Sequence, residues 1–270
     1  ASDAIAVEKL PLLDRWMLQR TAEVMDEITE AFESYEFFRF FQLLQNFCVT
    51  DLSNFYLDIA KDRLYVSAPT DQRRRSCQTV MALNIERLAG FIAPVLCHMA
   101  EDIWQNLPYP VQETSVFQRG WPTIPSDWRN DTLSAPVQQL RDLRAAVNKV
   151  LEDCRGRQEL GASLEAAVRI DARSPELQAA LSWLNDNGDP DVDGLRDWLL
   201  VSQLQLGGEP WAEVLSNHED ELALIEVSRA RGTKCERCWH YEGDVGQHPD
   251  HPHICGRCVG VLERRTHQLA

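Results

Sequence analysis

The sequence of 270 residues has no apolar run that approaches the roughly 20 residues needed to cross a bilayer. Its first residues also lack the basic and apolar pattern of a secretory leader. Both absences argue against a membrane or secreted protein. We therefore predict a cytoplasmic protein with no membrane partner.

Signatures of catalysis are missing as well. Gly207-Gly208 stands alone before Pro210 and predicts a turn rather than a phosphate-binding loop. The sequence has no nucleophile elbow and no HExxH pair. His98 and His218 are isolated, and single histidines are more often surface or core residues than general bases. We predict no catalytic residue in this chain.

Positive charge is scarce: 27 Lys and Arg face 42 Asp and Glu, a net charge of −15. Such a balance argues against binding nucleic acid by bulk electrostatics alone. The deficit is uneven, because residues 232–270 contain five basic and five acidic side chains. Any contact with nucleic acid should therefore be local and geometric.

Two cysteine pairs lie in that neutral segment, each with two residues between its members: Cys235, Cys238, Cys255 and Cys258. This spacing lets both sulfurs of a tight turn face one metal, and two such turns complete the tetrahedron that Zn²⁺ prefers. We predict one structural zinc ion. Two disulfides are the alternative, and the histidines between the pairs could compete as ligands.

Helical periodicity dominates the first 107 residues. Apolar side chains recur every three or four positions over 12–32 and 37–59, and the aromatic residues of the second run favour a packed core over a stacking surface. A third helix opens with Arg73, Arg74 and Arg75, which oppose the helix dipole. Phosphate contact and pairing with nearby aspartates are both open explanations for these arginines.

The fold class follows from the change in pattern along the chain. Prolines and tryptophans alternate over 108–136, which predicts an ordered connection docked on the helices. Beyond it, short β-like runs at 166–170, 198–204 and 222–227 surround a short helix. We predict a mainly α protein with a helical domain over 1–130, a small α/β module over 131–231 and a zinc domain over 232–270.

Several stretches, taken together, resemble the C-terminal part of the bacterial isoleucyl-tRNA synthetases. LDRW at 13–16, FYLDI at 55–59, KDRLY at 61–65 and RRSCQT at 74–79 resemble the helical anticodon-binding domain of that family. VNKV at 147–150 and GASLEAAV at 161–168 resemble its junction module. KCERCWHY at 234–241 and ICGRC at 254–258 resemble its terminal zinc domain.

The resemblance implies an enzyme that activates isoleucine with ATP and transfers it to its tRNA. The family's HIGH and KMSKS motifs are absent here. We therefore expect ATP binding and catalysis in another domain of the same polypeptide, and this chain to be its tRNA-reading portion. The implied partner is the isoleucine-accepting tRNA, and a monomer is expected.

The resemblance also implies which residues meet the RNA. Arg237 and Trp239, between and just after the first two cysteines, are the expected base and backbone contacts. An exposed indole offers a flat surface for an unstacked base, although packing of Trp239 against its own turn is equally compatible with the sequence. Further phosphate contacts are expected from Lys234, Arg257, Arg264 and Arg265.

Two other functions remain open from the sequence. DNA-repair glycosylases end in a similar four-cysteine finger, but they need an N-terminal proline with an adjacent glutamate, and Ala1-Ser2-Asp3 offers neither. A zinc-stabilised protein-interaction module without RNA affinity is compatible with the net charge of −15. Salt-dependent RNA binding would separate these alternatives.

Overall fold

The structure is a computed structural model that describes residues 3–269, with side chains through residue 264. The chain folds as two compact units. The first contains residues up to 60 together with 70–131, and the second contains 61–69 together with 132–270. The predicted division at 130 and 231 into three domains stays a prediction.

The first unit is helical. Its main helices are α1 (Leu12–Glu33), α2 (Phe37–Asn46), α4 (Gln72–Ile92) and α5 (Cys97–Gln105). The helix α3 (Asp58–Val66) begins in this unit and continues into the second unit after residue 60. Residues Phe47–Leu57 connect α2 to α3 as a continuous π-helical segment. Helix α4 begins at a cap in which the Asp71 carboxylate accepts a hydrogen bond from the Arg73 amide at 3.0 Å.

The core of this unit combines apolar packing with a few satisfied polar groups. Leu13, Met17 and Ile28 present one face of α1 and are fully buried. Trp16 meets Phe55 edge to face with ring centroids 5.1 Å apart. The buried hydroxyl of Tyr56 donates a hydrogen bond to Asp14 at 2.5 Å, so this buried carboxylate has a partner.

The aromatic run after α1 divides between core and surface. Phe40, Phe47 and Phe55 are buried, as the helical spacing predicted. Phe38 and Phe41 remain exposed. Both exposed rings lie in α2, in which Phe40 is the buried residue, so this helix covers the core with a narrower stripe than the sequence predicted.

The proline-rich connection is ordered and docked on the helices, as predicted. The Trp104 indole donates to the carbonyl of Glu113 at 3.0 Å, and the Trp121 indole donates to the Thr29 hydroxyl at 3.1 Å. The Arg87 guanidinium lies over the ring of Trp128, 5.1 Å from its centroid.

The second unit combines helices with a small sheet. Its helices after the Pro-rich connection are α6 (Ser134–Gly156), α7 (Pro175–Asn187), α8 (Leu195–Leu199) and α9 (Gly256–Leu269). Its strands are β1 (Ala166–Ala172), β2 (Gln203–Leu206), β3 (Ser216–Glu219), β4 (Ala223–Arg229), β5 (Thr233–Lys234) and β6 (Tyr241–Glu242).

The four-stranded sheet has the order β2-β1-β4-β3. Strands β1 and β2 are parallel, whereas β4 runs antiparallel to both β1 and β3. Val168, Ile170 and Val227 are buried on one face, and α6 packs against β3 and β4. Because side chains alternate along a strand, the opposite face contains Ala167, Arg169 and Glu226.

The predicted strand at 198–204 is wrong in its first half. Leu195–Leu199 form the helix α8, and the strand begins only at Gln203. Trp198 and Leu199 lie on this short helix, and their side chains are buried. The helix ends at Leu200, which has the left-handed backbone conformation at φ 55°. The expected mainly α fold with a small sheet module is confirmed.

Among the described helices, no helix combines the length and the hydropathy that a membrane-spanning segment requires.

Candidate metal centre and nucleic-acid interface

The four cysteines converge on one point of the second unit. Cys235 follows β5, Cys238 lies in the next turn, Cys255 precedes α9 and Cys258 lies in its first turn. Their Sγ atoms all lie within 4.8 Å of one another, and all four side chains are buried. Among the described residues they are the cluster suited to a metal ion.

The distances between sulfurs fit zinc. The Cys235 and Cys258 Sγ atoms are 3.8 Å apart, and those of Cys238 and Cys255 are 3.7 Å apart. A tetrahedron with Zn–S bonds of about 2.3 Å has edges of about 3.8 Å. Neither distance allows a disulfide, whose sulfurs are about 2.0 Å apart. The geometry therefore favours a closed metal site over the disulfide alternative.

Hydrogen bonds around the sulfurs favour thiolates. The Cys255 amide donates to the Cys235 Sγ at 3.4 Å, and the Arg237 guanidinium donates to the Cys258 Sγ at 3.5 Å. Hydrogen bonds among the sulfurs themselves lower the pKa of Cys255 and raise that of Cys258, so without a metal ion the cluster shares a proton. Deprotonated sulfur is the form that binds zinc.

Trp239 lies on the first cysteine turn with its side chain 62% exposed. Its backbone has φ 67°, the left-handed region that non-glycine residues rarely adopt. The turn fixes this conformation, because the Trp239 amide donates to the Cys235 carbonyl at 2.9 Å. The Lys234 Nζ lies 5.7 Å from the ring centroid. The indole is thus presented outward, with the Lys234 ammonium over one of its faces.

Arg237 and Arg257 are occupied within the protein. Arg237 donates to the Val66 carbonyl at 2.6 Å. Arg257 donates through both terminal nitrogens to Asp62, each at 2.9 Å. Burial alone would lower the pKa of Arg257, but the ion pair with Asp62 more than offsets this effect and raises it. Both arginines anchor the cysteine turns to the C-terminal half of α3, and their contact with RNA stays a prediction.

The cysteine turns thus pack on a part of the chain distant in sequence. Val66 is buried together with the four cysteines, and Val245 and Ile254 pack around them. His240 is 3% exposed, and burial lowers its pKa, so the neutral imidazole is favoured. The sequence suggested Asp62 only as a partner of the Arg73–Arg75 triplet and gave no role to Val66, whereas in the structure Asp62 pairs with Arg257.

The other predicted contacts are distributed between the units. In the first unit, the Arg75 guanidinium pairs with Asp3 at 2.8 Å, and Arg73 and Arg74 share the first turn of α4. In the second, Arg264 is exposed on α9. The Arg265 side chain lies outside the described residues. RNA contact by these residues stays a prediction.

A known family matches most of the helical part of the chain. The family described as the anticodon-binding domain of tRNA ligase matches residues 14–170. The chain belongs to this family. A second family, described as a zinc finger found in FPG and IleRS, matches residues 232–260 of this anticodon-binding chain and includes all four cysteines. The resemblance drawn from the sequence is confirmed.

The relatives of this anticodon-binding chain are named as isoleucine–tRNA ligases. One from Parasynechococcus marenigrum (strain WH8102) is 98% identical over 269 residues, which are 100% of this chain and 28% of the relative. Those from Synechococcus sp. (strain CC9311) and Prochlorococcus marinus (strain MIT 9313) are each 74% identical over 97% of this chain and 27% of their own length. The chain therefore spans little more than a quarter of each of these relatives.

Proposed function

We propose that this chain is the tRNA-reading portion of an isoleucine–tRNA ligase. The whole enzyme activates isoleucine with ATP and esterifies it to the isoleucine-accepting tRNA. ATP binding and catalysis belong to a catalytic domain of the same polypeptide, which acts as a cytoplasmic monomer. The match of residues 14–170 to an anticodon-binding domain and the names of the relatives support this assignment.

We also propose that one zinc ion is held by Cys235, Cys238, Cys255 and Cys258. Bound zinc supplies structure rather than chemistry, because four protein ligands leave no open position for water. The buried sulfurs and their spacing support this role. The ion would fix the two cysteine turns, and with them the backbone of Trp239. A zinc domain over 232–270 would follow a junction module over 131–231 and a helical domain over 1–130.

The exposed Trp239 is the observation that carries the tRNA proposal. An indole fixed in a strained backbone conformation and left 62% exposed buries little apolar surface of its own. An unstacked base in an RNA loop can cover such a surface, with stacking worth about 1–3 kcal/mol. Lys234 beside the ring can meet the adjoining phosphate.

Phosphate contacts away from Trp239 would set the salt dependence of binding. Arg264 and Arg265 on α9, and Arg73, Arg74 and Arg75 on α4, are the candidates for these contacts. Arg237 and Arg257 would act on RNA chiefly by holding the cysteine turns in place. A DNA-repair glycosylase is disfavoured because residues 14–170 match an anticodon-binding domain.

The test measures the affinity of this chain for isoleucine tRNA and for a non-cognate tRNA across a salt series. We expect selective binding that weakens about tenfold in Trp239→Ala and recovers in Trp239→Phe, because phenylalanine retains a ring for stacking. Phe117→Ala is the control, since Phe117 is also exposed but lies in the first unit. Equal weak binding to both tRNAs, or binding unaffected by Trp239→Ala, would contradict the proposal.

A further inference from the structure

A cavity of about 730 Å³ opens on the polar face of the four-stranded sheet. Its floor is Ala167 in β1, which lies opposite Gln203 in β2 and Ser228 in β4. Residues opposite one another in neighbouring strands project to the same face. Because Ala167 is small, the strands leave open space at this point, and we call it the sheet cavity.

One wall of the sheet cavity is a fixed aromatic side chain. The Trp211 indole donates a hydrogen bond to Gln205 at 3.0 Å, and the Trp211 amide donates to Glu226 at 3.2 Å. Glu226 is itself held by a buried ion pair with Arg169 at 2.5 Å. The wall is therefore ordered before any ligand arrives, which reduces the entropic cost of binding.

Two exposed arginines, Arg229 and Arg231, line the other side of the sheet cavity. Arg229 is the last residue of β4 and stands opposite Ala166, so its side chain leaves the strand on the other face of the sheet. Arg231, just beyond the strand, is therefore the principal cation at the rim. Within the described part of the chain, neither guanidinium forms a hydrogen bond or an ion pair. Arg237 and Arg257 differ, since both are engaged within the protein. The rim is held in position by the Gln203 side chain, which bonds to the backbone N–H and carbonyl of Arg231 at 3.0 and 2.8 Å.

The local charge is unusual for this protein. Residues 227–235 contain Arg229, Arg231 and Lys234 and no acidic side chain, although the net charge of the chain is −15. The α-carbons of Arg231 and Lys234 can be at most about 11 Å apart, because an extended chain spans about 3.3–3.6 Å per residue. Lys234 adjoins Trp239, so along the chain these basic residues lie between that indole and the sheet cavity, while Glu242 on the neighbouring strand is paired with Arg196.

We propose that the sheet cavity binds one unstacked nucleotide of the tRNA segment whose neighbouring base stacks on Trp239. Arg231 holds its phosphate with Arg229 as a second cation at the end of β4, and the Trp211 indole packs against its base. Glu209 and Glu213, which flank Trp211 in sequence, accept hydrogen bonds from ribose hydroxyl or base amino groups. These carboxylates repel phosphate, so the phosphate must lie on the arginine side of the cavity. RNA is the occupant we infer because the cavity adjoins the proposed contact of Trp239 along the chain. The inference rests on the proposed function.

The decisive variant is the double substitution Arg229→Gln/Arg231→Gln, measured for isoleucine tRNA across a salt series. Each phosphate contact on a single strand contributes about 0.7 to the slope of log K against log salt, or about fourfold in affinity near 0.15 M salt. We expect Kd to rise about tenfold and the slope to become shallower by about 1.4. Both arginines are exposed, so the variant should fold normally.

Arg39→Gln/Arg173→Gln is the matched control, since it changes net charge equally but removes arginines paired with Glu30 and Glu219. Ala167→Met provides an independent test by filling the floor of the cavity without changing charge. We expect this variant to weaken binding while the salt slope stays as in the wild type. Hydrogen exchange in β1 checks that the sheet of Ala167→Met is intact. If the sheet is disturbed, the test rests on Arg229→Gln/Arg231→Gln alone.

The outcomes separate this inference from the proposed function. If Trp239→Ala weakens binding but the arginine variant matches its control in Kd and slope, the sheet cavity does not bind RNA and only the inference is wrong. If the wild-type chain binds no tRNA, the proposed function and this inference are both wrong.

Discussion

Arg257 in the first turn of α9 donates two parallel hydrogen bonds to the carboxylate of Asp62 in α3, each at 2.9 Å. Two-pronged pairing of guanidinium with carboxylate fixes orientation as well as distance. The pair is partly shielded, with side-chain exposures of 29% and 12%. It therefore holds the second cysteine turn in a defined position on α3.

We predict that Asp62→Asn weakens this docking. Arg257 would lose its anionic partner, and the free energy of local opening over 232–260 should fall by about 1–3 kcal/mol. Native-state hydrogen exchange measures this opening free energy. Breaking the exposed pair of Arg39 and Glu30 with Glu30→Gln is the control and should cost much less, because solvent screens an exposed ion pair. Unchanged protection of 232–260 in Asp62→Asn would refute the anchoring role.

We predict that Cys235→Ser abolishes stoichiometric zinc binding. Three cysteines leave one position of the tetrahedron open, and the energy of metal binding is folding energy for a segment with so small a core. Protection from hydrogen exchange should be lost over 232–260 and kept in the helical first unit. Elemental analysis for metal, with Cys97→Ser as the control at an exposed cysteine, completes the test. One retained equivalent of zinc with unchanged protection would disprove this prediction.

The sequence predicted best where the physical constraint is local. Two residues between the cysteines of each pair are enough to bring sulfurs together, and the four-cysteine cluster is confirmed. The stripe of Leu13, Met17 and Ile28 likewise follows from helical spacing alone. The docked connection was predicted because prolines end helices while Trp121 and Trp128 need a surface to cover them.

Long-range pairing could not be predicted in the same way. Nothing near Arg237 or Arg257 in sequence indicates Val66 or Asp62, so the sequence alone predicts RNA contact for both guanidiniums and misses their bonds within the protein. Trp198 and Leu199 belong to an apolar run that is typical of a strand, yet they lie on a short helix with their side chains buried. Their burial depends on tertiary packing, which overrides local preference.

We predict that Trp239→Gly separates stability from binding. Glycine adopts positive φ freely, whereas a residue with a side chain loses about 1–2 kcal/mol in the left-handed region. With φ 67° at Trp239, the opening free energy of 232–260 should rise by about 1 kcal/mol. Affinity for isoleucine tRNA should fall as in Trp239→Ala. If Trp239→Gly and Trp239→Ala are both less stable than the wild type, the indole itself stabilises the turn and strain is not the dominant effect.

A further prediction concerns the buried pair of Arg169 and Glu226, whose side chains are 1% and 8% exposed. Glu226→Ala would leave a buried guanidinium without its anion, and we expect the second unit to lose about 3–5 kcal/mol. The double variant Arg169→Met/Glu226→Leu should recover most of this loss, because it removes both buried charges. Urea unfolding of the single and double variants measures the difference. Equal destabilisation of the two would show that packing rather than charge dominates at this position.

The same pair should make stability depend on pH. The hydrogen bond from Arg169 lowers the pKa of Glu226 in the folded state below its ordinary value. The unfolded chain therefore binds the proton more readily, so the stabilisation is complete above the unfolded pKa of about 4.3 and is lost as pH falls through the folded value. In Arg169→Met/Glu226→Leu this contribution is absent, and its unfolding free energy should fall less between pH 5 and acid pH than that of the wild type. Parallel acid profiles for the two proteins would mean that other carboxylates control acid unfolding.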